Sequence, residues 1–120
     1  MTLEECYNRM HGDYAAAQAQ LMKDSLIERF LLKFPADKTM EELRLAAKAG
    51  DIEASFAAVH TLKGVALNLA LKELHEAAHE LTEQLRSRKE PARADLLKKL
   101  EDSYGLIIRT IKEYENNRTI

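Results

Sequence analysis

Apolar residues recur along this chain at three- and four-residue spacing, and no run alternates with period two, so the sequence predicts helices and no strand. Its joints are marked just as clearly. Thr2 and Glu5 have capping-box spacing and open a short first helix that stops at His11-Gly12. Asp13 caps a second helix of about five turns, ending before Pro35, whose stripe is Leu21, Met22, Ser25, Leu26, Arg29, Phe30 and Phe34. Thr39 and Glu42 repeat the capping-box spacing ahead of Leu43, Ala46 and Ala47, and Gly50 ends that third helix. Asp51 caps a fourth helix, with Ile52, Phe56, Val59, Leu62, Ala66 and Leu69 on one side. A tight turn near Ala70 leads to a fifth, striped by Leu71, Leu74, Ala78, Leu81 and Leu85 and ended by the polar run Arg86 to Glu90. Pro91 opens the last helix, which buries Leu96, Leu97, Leu100, Tyr104, Ile107, Ile108, Ile111 and Tyr114 and runs almost to Ile120. Gly105 inside it costs about 1 kcal/mol against alanine and implies a close helix contact. Amphipathic helices on short joints predict a single all-α domain over 1–120: an antiparallel four-helix bundle with additional short helices at its N-terminal side.

Composition sets the outer bounds. A chain of 120 residues can bury a core without staples. Its net charge of -2 offers no basic field to nucleic acid. The one cysteine, Cys6, builds no disulfide framework and suits a reducing cytosol. There is no basic leader followed by an apolar run, and no stretch approaches the roughly 20 apolar residues that cross a bilayer. The expectation is a cytoplasmic monomer with neither membrane nor nucleic acid as partner. An initiating Met and a last helix near the C-terminus suit a free-standing protein. Met1, Met10, Met22 and Met40 read as core or boundary filler.

Between Ser55 and Lys72 the only interior residue certainly charged at neutral pH is Lys63, three residues after His60 and immediately before Gly64. On a helical wheel Lys63 lies about 60° to one side of His60 and Gly64 about 40° to the other. The core stripe centres near Val59, Leu62 and Ala66, so His60 falls at the boundary with solvent. There one ring nitrogen can reach water while the other is held by the protein. A phosphoryl group on Nε2 would bring about two negative charges, which Lys63 is placed to offset. Gly64 would keep the turn beneath the ring open, and Asn68 is the next polar group on that flank.

The segment Ala58-Val59-His60-Thr61-Leu62-Lys63-Gly64, followed by Ala66, Asn68 and Leu69, resembles the signature of the histidine-containing phosphotransfer (HPt) domain. The likeness covers about residues 10 to 115, with Gly12-Asp13 and Gly50-Asp51 at the family's joints and Leu71, Leu74, Ala78 and Leu81 on its next helix. It implies that His60 is reversibly phosphorylated by a receiver-domain aspartyl phosphate and passes the group to another receiver. Lys63 would be its electrostatic partner and Gly64 the clearance residue. It also implies a phosphotransfer intermediate with no kinase activity of its own and no cofactor of its own, Mg²⁺ residing on the receiver. The partners would be receivers of a hybrid histidine kinase, a response regulator or both, docking around Phe56, Ala57, Leu67, Asn68 and Thr82. No glycine-rich phosphate loop suggests ATP binding. This chain departs from many relatives in having Ala70 at a turn glycine and Thr82 where Gln or Glu stands. Thr82, Gln84 and water are the candidates for orienting the imidazole.

Two other readings come from different classes: an interaction bundle without phosphotransfer, and a zinc hydrolase. The second rests on His75-Glu76-Ala77-Ala78-His79, which matches the helical H-E-x-x-H motif with Glu76 as general base. A compact bundle offers it neither a third ligand nor a cleft, and the wheel puts His75 on the flank of its helix with His79 further out. Arg86, Arg88, Lys89, Arg93, Lys98 and Lys99, interrupted by Glu90, Asp95 and Glu101, read as a solvated face that could also steer an acidic receiver.

Overall fold

The computed structural model describes residues 1–118, and all regular structure among them is helical. The order is α1 (Leu3–Arg9), α2 (Tyr14–Leu21), α3 (Asp24–Lys33), a 3-10 turn (Phe34–Ala36), α4 (Thr39–Lys48), α5 (Ile52–Asn68), α6 (Lys72–Leu85) and α7 (Ala94–Arg118). The predicted Ile120 end of the last helix lies outside the described residues.

Helices α4 to α7 form the bundle. α5 packs between α4 and α6, and α6 packs on α7. Arg44 closes the ring from α4 to α7, its Nε and Nη2 donating to Glu101 at 2.8 and 2.7 Å while the guanidinium lies 5.3 Å from the Tyr104 ring centre. Val59, Leu62, Ala66, Leu74, Ala78, Leu81, Leu85, Leu100, Ile107 and Ile111 fill the interior. These are the stripes that helical periodicity marks, and burying them drives assembly.

The N-terminal helices are stitched to the turn that ends α5. The Tyr7 hydroxyl, fully buried, donates to the Leu69 carbonyl at 2.8 Å. The Asp13 amide donates to the Ala70 carbonyl at 2.9 Å. A Cβ at Gly12 would lie 2.8 Å from the Tyr7 ring and 3.1 Å from the Ala70 oxygen, so only glycine fits this seam. Cys6 is buried nearby, and burial pushes its thiol up to about 11, so it is neutral and unreactive at physiological pH.

The caps at Thr2, Asp13 and Asp51 form as expected, each side chain accepting an amide of the first turn. Five expectations are corrected. The predicted second helix is two, because the backbone turns at Met22, where φ is +67°. Its stripe is also rotated: Ile27 and Leu31 are buried while Met22 is 83% exposed and Phe30 43% exposed. At α4, Lys38 is the cap residue, and the Thr39 amide is taken by the Asp37 carboxylate at 2.8 Å, so the Thr39–Glu42 box does not form. Pro91 precedes α7 by three residues. Its carbonyl accepts from Gln84 Nε2 at 3.1 Å, and the Arg93 amide donates to Gln84 Oε1 at 2.9 Å. Gly105 makes no close helix contact: the nearest atom to a Cβ there would be Arg109 Nη1, from the same helix, at 3.2 Å.

Candidate functional site

α5 starts cleanly because Gly50 stops α4 at φ +69° and the Asp51 carboxylate accepts the Ala54 amide at 3.0 Å. That fixes which flank faces solvent. Ala57, His60, Gly64, Leu67 and Asn68 are exposed, with Phe56 and Lys63 half-buried beside them, while Val59, Leu62 and Ala66 point inward. One continuous strip of surface thus carries the histidine, the lysine and the glycine.

His60 projects into solvent with no hydrogen bond to its ring from the described residues. Among the described residues its one ring contact is Phe56, one turn earlier, at 5.8 Å between centroids and 73° between planes. Lys63 leans the other way, toward α6, where its charge is felt by His75 and Glu83. It forms no ion pair with the described residues, so its ammonium is available to an incoming anion. At Gly64 a Cβ would meet nothing within 4 Å. The glycine is therefore not required by packing within the chain, although it weakens the helix.

Thr82 is corrected. It is fully buried, and its hydroxyl donates to the Ala78 carbonyl one turn back at 2.7 Å, so it neither lines the surface nor turns toward the ring. Gln84 is spent on the loop before α7, as described above. Neither side chain orients the imidazole here.

The H-E-x-x-H string belongs to no metal-ligand cluster among the described residues, where no three His, Cys, Asp or Glu side chains come together as metal ligands. His75 is half-buried on α6, and its pKa is lowered first by burial, then by the charges of Lys63 and His79, with Glu76 opposing.

Two features around the strip had no clear sequence signal. Phe30, 43% exposed, lines an apolar groove of about 470 Å³ between α2, α3 and α5 together with Val65, Asn68 and Leu69, and Leu67 is 51% exposed on the neighbouring surface of α5. At the other end of the strip, the predicted basic face is divided. Arg93, Lys98 and Lys99 pair with Asp95, Asp102 and Glu80, whereas Arg86 and Arg88 fold over the Phe56 ring.

No helix of the described residues is long and apolar enough to cross a membrane. The sequence model of the Hpt domain matches residues 25–110, which spans α3 to most of α7. No curated protein and no solved structure matches the chain.

Proposed function

The chain belongs to the Hpt domain family, modules of histidine phosphotransfer in phosphorelay signalling without kinase activity of their own, and from that premise we propose that His60 is its phosphoryl carrier. The observation that carries the reading is the solvent-facing strip of α5. Among the described residues, it combines an imidazole without a hydrogen-bond partner, a lysine without an ion pair and a glycine with open space above it.

In the forward step, a lone pair of imidazole Nε2 attacks the phosphorus of a receiver's aspartyl phosphate. The new P–N bond forms as the acyl P–O bond breaks, and the aspartate leaves as carboxylate. Transfer to a second receiver reverses this with a different carboxylate as nucleophile. Lys63 offsets the negative charge carried on the ring. Gly64 leaves room for the receiver's own active site to reach the phosphorus in line, and that receiver brings the Mg²⁺. The apolar end of the strip, from Leu67 and Asn68 into the groove beside Phe30, suits a partner helix that buries a hydrophobic face. Phe56 and Ala57 complete the contact at the other end.

Incubation with a phosphorylated receiver tests the assignment. Acid-labile label is expected on the wild type and absent from His60→Gln, with both equally folded by circular dichroism. Equal labelling of the two would rule out His60. Binding of the receiver without any labelling would favour a pure interaction bundle.

A further inference from the structure

The segment after α6 folds back over the site. Arg88 adopts φ +57°, a conformation that costs a non-glycine residue on the order of 1 kcal/mol. Its Nη1 donates to the Arg86 carbonyl at 2.7 Å, and its guanidinium carbon lies 3.5 Å from the centre of the Phe56 ring. That is the distance of face-on stacking. The same ring meets the His60 imidazole edge-on, so one aromatic separates a guanidinium from the proposed carrier.

The two arginines over Phe56 are held differently. Arg86 is 5.9 Å from the ring and is bound to Glu83 on its own helix at 2.6 Å. Among the described residues Arg88 has only Glu53 as ion-pair partner, at 3.4 Å, and that carboxylate is 76% exposed. An exposed pair this loose contributes little and is easily exchanged. A phosphoryl group on His60 would carry about two charges against one on Glu53, and its oxygens fit the planar fork of a guanidinium.

We propose that Arg88 is a phosphoryl-binding residue of the His60 site: Phe56 holds its guanidinium in readiness, and phosphorylation draws it from Glu53 onto the phosphoryl oxygens. Lys63 then meets the group from the α6 side and Arg88 from the Phe56 side, so the phosphoryl group is bracketed by cations on both flanks. The assignment rests on His60 being the carrier.

Phosphoramidate tests it without a receiver, because its P–N bond breaks with loss of ammonia as the P–N bond to the imidazole forms. The phosphoryl group on the intact protein is titrated by ³¹P NMR. A cation in contact favours the dianion and lowers the midpoint, so Arg88→Ala should raise it by about half a unit, or about threefold in proton affinity. Arg88→Lys should fall between the two, because it keeps the charge and loses the fork. Glu53→Gln should lower the midpoint in the wild-type background and leave it unchanged in Arg88→Ala. Coincidence of Arg88→Ala with wild type, or of Arg88→Lys with wild type, would overturn the contact. If Arg88→Ala perturbs the turn, as thermal unfolding would show, Glu53→Gln decides alone, and an unmoved midpoint overturns the proposal. Label retained on His60→Gln at the wild-type level would instead remove the carrier reading itself, and this one with it.

Discussion

At the scale of single residues, Gly64 and Thr82 give opposite expectations from one helix–helix seam. Gly64 meets open space, so replacing it restores helix propensity without a clash inside the chain. Gly64→Gln is expected to raise stability by about 0.5–0.8 kcal/mol in denaturant unfolding. The same variant should slow phosphoryl transfer from a receiver by on the order of tenfold or more, since misplacing reacting groups by about 1 Å has costs of that size. Normal transfer through Gly64→Gln would end the clearance argument. Thr82 is sealed in the interior. Thr82→Val should keep the fold within about 1 kcal/mol and leave phosphoryl loading unchanged, because the hydroxyl serves only its own helix. The shared placement of His60, Lys63 and Gly64 on one surface strip of α5 was legible because a histidine, a charge and a glycine are conspicuous in an apolar run. Arg88 was not, because its place over Phe56 depends on a left-handed backbone angle at a residue that carries no glycine signal. Thr82 was misplaced because the resemblance carried over a position that a longer Gln or Glu occupies in many relatives, whereas the short threonine hydroxyl turns back to the Ala78 carbonyl of its own helix.

At the scale of elements, the sequence announced helices reliably where a cap and an apolar stripe agreed, as at Asp51 and α5. It failed where the stripe ran on through a break. Nothing between Leu21 and Asp24 is glycine or proline, yet the chain turns there at Met22 with φ +67°. Met22 is exposed, so Met22→Gly gives up no packing and removes the strain. The expected gain is about 0.5–1 kcal/mol, the relief of the left-handed angle less the entropy cost of a glycine in the unfolded chain; a fall in melting temperature would contradict it. Pro91 misled in a related way. A proline before an apolar stripe suggests a first turn, but Gln84 ties the intervening loop to α6 and postpones α7 to Ala94. The α5–α6 seam also has a pH signature. His75 has its pKa lowered by burial and by Lys63 and His79, against the opposing charge of Glu76. The unfolded chain therefore binds this proton more readily than the folded one. The stabilising contribution is complete above the ordinary imidazole value of 6.5 and is lost as pH falls below it. In His75→Gln the loss of melting temperature between neutral pH and pH of about 5 should be smaller than in wild type; equal losses would assign the acid sensitivity elsewhere.

At the scale of the whole molecule, α7 serves as the spine. Its 25 residues carry Glu101 against Arg44 in the first half and, further along, Glu113 against Arg9 and Tyr114 against Glu28. α1 and α3 thus share the last turns of α7 and hold the N-terminal seam against the α5–α6 turn. Tyr7→Phe would leave the Leu69 carbonyl without that buried donor and is expected to cost about 1–3 kcal/mol, read from denaturant midpoints, with the secondary structure retained. The seam has a further consequence for how portable the module is. The family match runs over 25–110, but Tyr7, Met10 and Gly12 before it, and Ile111 and Tyr114 after it, are built into the interior or the seam. The segment that makes the chain recognisable and the segment that folds as a unit have different ends. A transplant of the recognisable part into another signalling protein would bring His60 along and leave behind the support of the turn beneath it.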